Sequence, residues 1–163
     1  CHGTSVDGEG LQAQFDAALG DLLAQLTAAV KAPFASKLAY KGSVKSVVID
    51  PANVASVALV TGRLVGLNVT FTAAIDDPNG TGTVTSLSTG PNSSNLGNFV
   101  TVDGTGTPTS TKVFDVLGGR VAKANWNYSL LDQDGSKSIH NPTFVFTVLG
   151  NTKAALVSGS GAL

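Results

Sequence analysis

Cys1 and His2 stand side by side at one end of the chain, and His140 stands near the other, directly before Asn141 and Pro142. These are the only cysteine and the only two histidines in 163 residues, and methionine is absent. A thiolate can attack, bind a metal or carry a covalent group, and an imidazole can move a proton or bind a metal. A lone cysteine has no disulfide partner within its own chain, so Cys1 is free, joined to another chain or modified. The pair at position 1 reads either as an end made by processing or as the middle of a longer motif. No nucleophile elbow, phosphate-binding glycine loop or zinc spacing accompanies it, so most hydrolytic mechanisms lack parts. The expectation is a protein that is not an enzyme.

The remaining polar clusters carry less chemistry. Asp132, Asp134 and Ser136 place oxygens at alternate positions, like half of a calcium loop, but the bidentate acid that would close such a loop is missing. A plain turn accounts for them. Asp76-Asp77-Pro78-Asn79-Gly80 is likewise a turn signature. Trp126, beside Tyr128, reads as a core residue.

The bulk composition narrows the class. The chain is 42% hydrophobic and only 13% charged, roughly half the usual charged share. Nineteen glycines, with Thr, Ser, Asn and Val, take the place of charge. That bias suits an extracellular, cell-surface or periplasmic protein. A formal net charge of −1 gives no electrostatic reason to expect nucleic acid as partner. No run approaches the ~18 apolar residues of a spanning helix, so no membrane span is expected.

Three kinds of element must position these groups. Leu11, Phe15, Leu19, Leu22, Leu26 and Val30 recur at intervals of three and four, which predicts a helix with one apolar stripe. Asp7 is its expected N-cap, and Pro33 ends it. From Lys45 to about Val116 the chain is rich in β-branched residues, punctuated by turn-formers such as DPNGTG and TGPNSSN. Leu67, Val69, Phe71 and Ala73 alternate with polar residues, as in a half-buried antiparallel strand. After Gly119, Val121, Ala124, Tyr128 and Leu131 return to helical spacing. Asn141 as cap and Pro142 at the first helical position start a last helix, with Phe144, Val148 and Ala155 expected on one face. The predicted class is α+β in a single unit. A helical segment (1–43) comes first, then an antiparallel sandwich or barrel-like insert (44–116), then two helices (117–163).

The stretch NWNYSLLDQDGSKSIHNPTFVFTVLGNTKAAL resembles the C-terminal region of multihaem c-type cytochromes. There a helix with an Asn-aromatic-Leu pattern meets a DGSxGxHNP loop, followed by a final helix. Asn127-Tyr128, Leu130, Asp134-Gly135-Ser136, His140-Asn141-Pro142 and Leu149 hold the matching places. Ser138 departs from the pattern, where the family often has glycine. The match covers about thirty residues. The resemblance implies that His140 is an axial ligand to haem iron. It also gives CHG a meaning, because haem c attachment uses C-x-x-C-H. Cys1 would then be the second cysteine of such a motif and His2 the proximal ligand, with the first cysteine upstream.

What the resemblance implies is electron transfer: a chain contributing the axial histidines His2 and His140 to haem c. That haem would be shared with, or supplied by, sequence or subunits outside this chain. The partners would be other haem-bearing segments or cytochrome subunits, and a homo-oligomer or filament is compatible with this. Two alternatives stay open for Cys1, which is also where a bacterial lipoprotein carries its lipid, or is simply a free end. On those readings the protein is a surface-anchored, β-rich structural or assembly protein without a redox role.

Overall fold

The computed structural model describes residues 7–62, 65–89, 93–114 and 119–158. Cys1 and His2 lie outside the described residues, and so does the tail beyond 158.

Helix α1 spans Gly8–Lys31, and the Asp7 side chain accepts a hydrogen bond from the Gly10 amide at 2.9 Å. That bond satisfies one of the amides a helix start leaves unpaired. Phe15, Leu19, Leu22, Leu26 and Val30 form its buried stripe, as the spacing predicts, while Leu11 is only half-buried. Pro33 follows within a single 3-10 turn, Ala32–Ala35.

Among the described residues, seven strands make two antiparallel sheets. Strands β1 (Leu38–Lys41), β2 (Ser46–Ile49), β6 (Phe99–Val102) and β7 (Pro108–Lys112) form one sheet, in the order β2-β1-β6-β7. Strands β3 (Val54–Val60), β4 (Gly66–Asp76) and β5 (Thr83–Ser88) form the other, in the order β3-β4-β5. Neither sheet closes into a barrel. Both feed one core, in which Leu38, Tyr40, Ile49 and Phe99 from the first sheet meet Val57, Leu67, Val69, Phe71 and Leu87 from the second. At its centre the Phe99 ring has its centroid 5.3 Å from that of Phe34, 5.0 Å from Tyr40 and 5.8 Å from Phe114. These are edge-on contacts of the kind aromatic quadrupoles favour, and truncating Phe99 to alanine costs about 3–5 kcal/mol.

Strand β1 was not visible in the pattern. Leu38, Ala39 and Tyr40 are all buried, so both faces of β1 are covered there and the strand shows no alternation.

In β4 the alternation holds through Leu67, Val69 and Phe71 and then fails, with Ala73 exposed. The β4–β5 register shifts between Thr70 and Ile75, and the β3–β4 register shifts between Val54 and Ser56. Asn53 supports the end of the strand. Its Oδ1 accepts from the Ala73 amide and the Thr72 hydroxyl, both at 2.7 Å, and its Nδ2 donates to the Ala73 carbonyl at 3.0 Å. The side chain does there what a neighbouring strand does elsewhere.

Helices α2 (Arg120–Asp132) and α3 (Pro142–Ser158) pack with α1 around a second core of Phe15, Leu19, Leu22, Leu26, Ala124, Tyr128, Leu131, Val145 and Leu149. Leu59 and Val121 touch both cores and join the helices to the sheets. The α3 stripe includes Ala155 as expected, with Val148 packed at its side, and departs from the expected face at Phe144. Val145, Leu149, Thr152 and Ala155 are buried, while Phe144 is 57% exposed. The sequence FVFTVL is apolar nearly all round, so periodicity alone could not choose the face. Trp126 is also corrected: it is 49% exposed, and the neighbouring ring of Tyr128 enters the core instead.

No helix among the described residues is long and apolar enough to cross a membrane.

Candidate functional site: the loop between α2 and α3

The segment from Asp134 to Asn141 is built from local hydrogen bonds. The Asp134 amide donates to the Leu131 carbonyl as α2 ends, and the Lys137 amide donates back to the Asp134 carbonyl. One Asp134 carboxylate oxygen accepts from the Ser136 amide at 3.1 Å, and the Ser136 hydroxyl reaches both oxygens at 2.9 and 2.8 Å. The Ser136 hydroxyl, then its amide, hold the Asp134 carboxyl below its ordinary range, with smaller contributions from the Ser138 amide and the nearby His140. Asp134 is therefore a turn former, and the half calcium loop is a turn.

The next two residues take left-handed backbone, Lys137 at φ 45° and Ser138 at φ 73°. Such a conformation suits glycine and strains other residues. Ser138 is fully buried, and its hydroxyl has no hydrogen-bond partner among the described residues. The one position where this loop departs from the DGSxGxHNP pattern is thus a position whose backbone favours the missing glycine. The Lys137 ammonium, 2.9 Å from the Asp16 carboxylate, ties the loop to α1.

His140 follows, and it is exposed and makes no hydrogen bond among the described residues. Its main chain is held from both sides. The Ile139 amide donates to Ser136 on one side. On the other, Asn141 caps α3, its Oδ1 accepting from the Phe144 amide at 3.2 Å and its carbonyl from the Val145 amide at 3.1 Å. Pro142 takes the first helical position, where a missing amide hydrogen costs nothing. The result is an imidazole on a fixed stem, facing solvent.

Of the three sequence-predicted ligands, only His140 lies within the described residues; Cys1 and His2 do not. The His140 ring is accessible, and neither of its nitrogens is committed to a partner among the described residues. The described residues do not enclose a porphyrin around it. Ile139 is half-buried, Phe144 is largely exposed, and His140 lines none of the described clefts. Among the described residues no three His, Cys, Asp or Glu side chains gather to hold a metal ion.

A polar node beneath α2 went unseen in the sequence. The Gly62 carbonyl accepts from Asn125 Nδ2 at 2.8 Å and from the Ser129 hydroxyl at 2.6 Å, and Asn125 is fully buried. A second bond joins the half-buried Asn127, through Nδ2, to the hydroxyl of the buried Thr152 at 2.9 Å, linking α2 to α3. Both use residues that sequence reading assigns to surfaces; the weak available signal is four-residue spacing of Asn125 and Ser129 on one helix face.

Comparison with protein-family models, curated proteins and solved structures finds no match for this chain.

Proposed function

We propose that this chain serves electron transfer as part of an extracellular or periplasmic multihaem c-type cytochrome, with His140 offering an axial imidazole. The observation that carries the reading is the state of His140: exposed, unbonded and fixed between a turn and a capped helix start. An exposed imidazole that makes no hydrogen bond among the described residues is open to a ligand. The left-handed backbone at Ser138 supports the same reading, because it matches the glycine of the resembled loop. The haem would supply the one-electron iron couple, and His140 and His2 would hold haem iron, not necessarily the same one. The porphyrin's enclosure would come from Cys1, His2 and segments or subunits beyond the described residues. The β-rich sheets, which carry no histidine, cysteine or methionine between residues 44 and 116, would lie at the periphery as a cover or interaction surface.

The test is the absorption spectrum of protein made in a host competent for haem attachment, in both wild-type and His140→Ala forms. The expected result is a low-spin haem spectrum that turns high-spin in the variant. After denaturation, the peptide holding Cys1 and His2 should keep the mass of one haem. A missing Soret band would overturn the reading, and a diacyl mass on Cys1 would replace it with a lipid-anchored surface protein.

A further inference from the structure

Among the described residues, two that are not glycine take left-handed backbone, and they are neighbours: Lys137 at φ 45° and Ser138 at φ 73°. Such backbone strains a residue with a Cβ and persists only where its surroundings impose it. His140 follows two residues after Ser138, so relaxation of this pair would re-aim the imidazole. Most of the bonds around it are local. Ser136 bonds Asp134, the Lys137 amide donates to the Asp134 carbonyl, and the Ile139 amide donates to the Ser136 carbonyl. Among the described residues, a single side-chain bond joins residues 134–140 to a distant part of the chain: Lys137 Nζ to Asp16 Oδ2, at 2.9 Å. Asp16 is a firm anchor, because it lies on α1 between Phe15 and Leu19, both buried in the helical core. Lys137 is therefore both a strained residue and the tied one.

We infer that Asp16 and Lys137 are positioning residues for His140. Their ion pair holds the loop in its left-handed form and so presets the imidazole at the entry to α3. This rests on the reading of His140 as an axial ligand. A preset side chain gives up less freedom on binding than a loose one, so it binds better and leaves more slowly. Both members of the pair are exposed, so the tie is weak and screened by salt. The hold on His140 is thus graded by ionic strength.

The first test needs no haem. Nuclear magnetic relaxation on the haem-free chain should give amide order parameters of about 0.85 at Ile139 and His140 in the wild type, the value of rigid backbone. They should fall in Asp16→Asn and stay high in Lys137→Arg. The double variant Asp16→Lys with Lys137→Asp should restore them, which shows that loss of the pair and not of the fold is being read. The second test uses the haem-loaded protein. Cyanide should displace His140 about two- to fivefold faster in Asp16→Asn than in wild type, the range that an exposed pair permits. Salt at about 1 M should erase that difference. Equal order parameters in wild type and Asp16→Asn, a double variant that restores nothing, or equal displacement rates would each overturn the inference while leaving His140 a ligand. A spectrum unchanged in His140→Ala would instead remove the ligand reading, and this inference with it.

Discussion

Lys137 Nζ lies 2.9 Å from Asp16 Oδ2, joining a loop between the last two helices to the first turns of α1. The two side chains are 46% and 52% exposed. Exposed pairs of this kind contribute under about 1 kcal/mol and weaken with salt. Asp16→Ala should therefore lower the melting temperature by no more than about 3 °C. The difference should shrink in high salt, as thermal denaturation at two ionic strengths can check. A larger, salt-independent loss would show that Asp16 does more than hold the loop.

Ser138 is the stronger test of how the loop is built. Its left-handed backbone and its buried hydroxyl, without a partner among the described residues, both oppose folding. Glycine removes both penalties, at a smaller cost in chain entropy. Ser138→Gly should stabilise the protein by about 1 kcal/mol, and Ser138→Val should destabilise it by more than that. Chemical denaturation midpoints measure both. If glycine were neutral or harmful, the strain assigned to residue 138 would be wrong.

What could be read from the sequence follows from what leaves a periodic trace. The α1 stripe, the caps at Asp7 and Asn141, and the α+β order all rest on local spacing or local hydrogen bonds, and they are found as expected. The failures are tertiary. Leu38 to Tyr40 is too short and too uniformly buried to alternate, Phe144 sits in a helix with no polar face to orient it, and Trp126 yields the core to Tyr128. The His140 loop was legible because its turn formers and its cap are contiguous. The Gly62 node was not, because Asn125 lies 63 residues from its partner.

Asp103, alongside the likewise lowered Asp21 and Asp134, bears on the acid end of the pH range, and Tyr128 on the alkaline end. The Asp103 carboxyl is held below its ordinary 3.8 by the Thr105 hydroxyl first, then by the Thr107 and Thr105 amides. A carboxyl lowered in the folded state stabilises above its unfolded pKa and loses that contribution as pH falls below it. The Tyr128 phenol is raised above its ordinary 10.0 by burial first, then by Asp132. Its contribution is present below pH 10.0 and disappears as pH rises through the folded value. Asp103→Asn should therefore flatten the loss of stability in acid, below pH 3.8, and Tyr128→Phe the loss in alkali. Denaturation midpoints measured across pH check each limb independently.

The last prediction concerns His140 as a part of the fold. Its ring is exposed and makes no hydrogen bond among the described residues, and the loop around it is held by Asp134, Ser136 and Asn141. Removing such a side chain changes stability by at most about 0.5 kcal/mol. His140→Ala should therefore melt within about 2 °C of wild type and keep its far-ultraviolet circular dichroism. That result would separate the two ways in which the variant could lose an axial ligand. A spectral change on an unchanged fold belongs to the imidazole itself. A clear drop in melting temperature would instead show the ring bracing the loop, and the spectrum could then no longer be read as ligation.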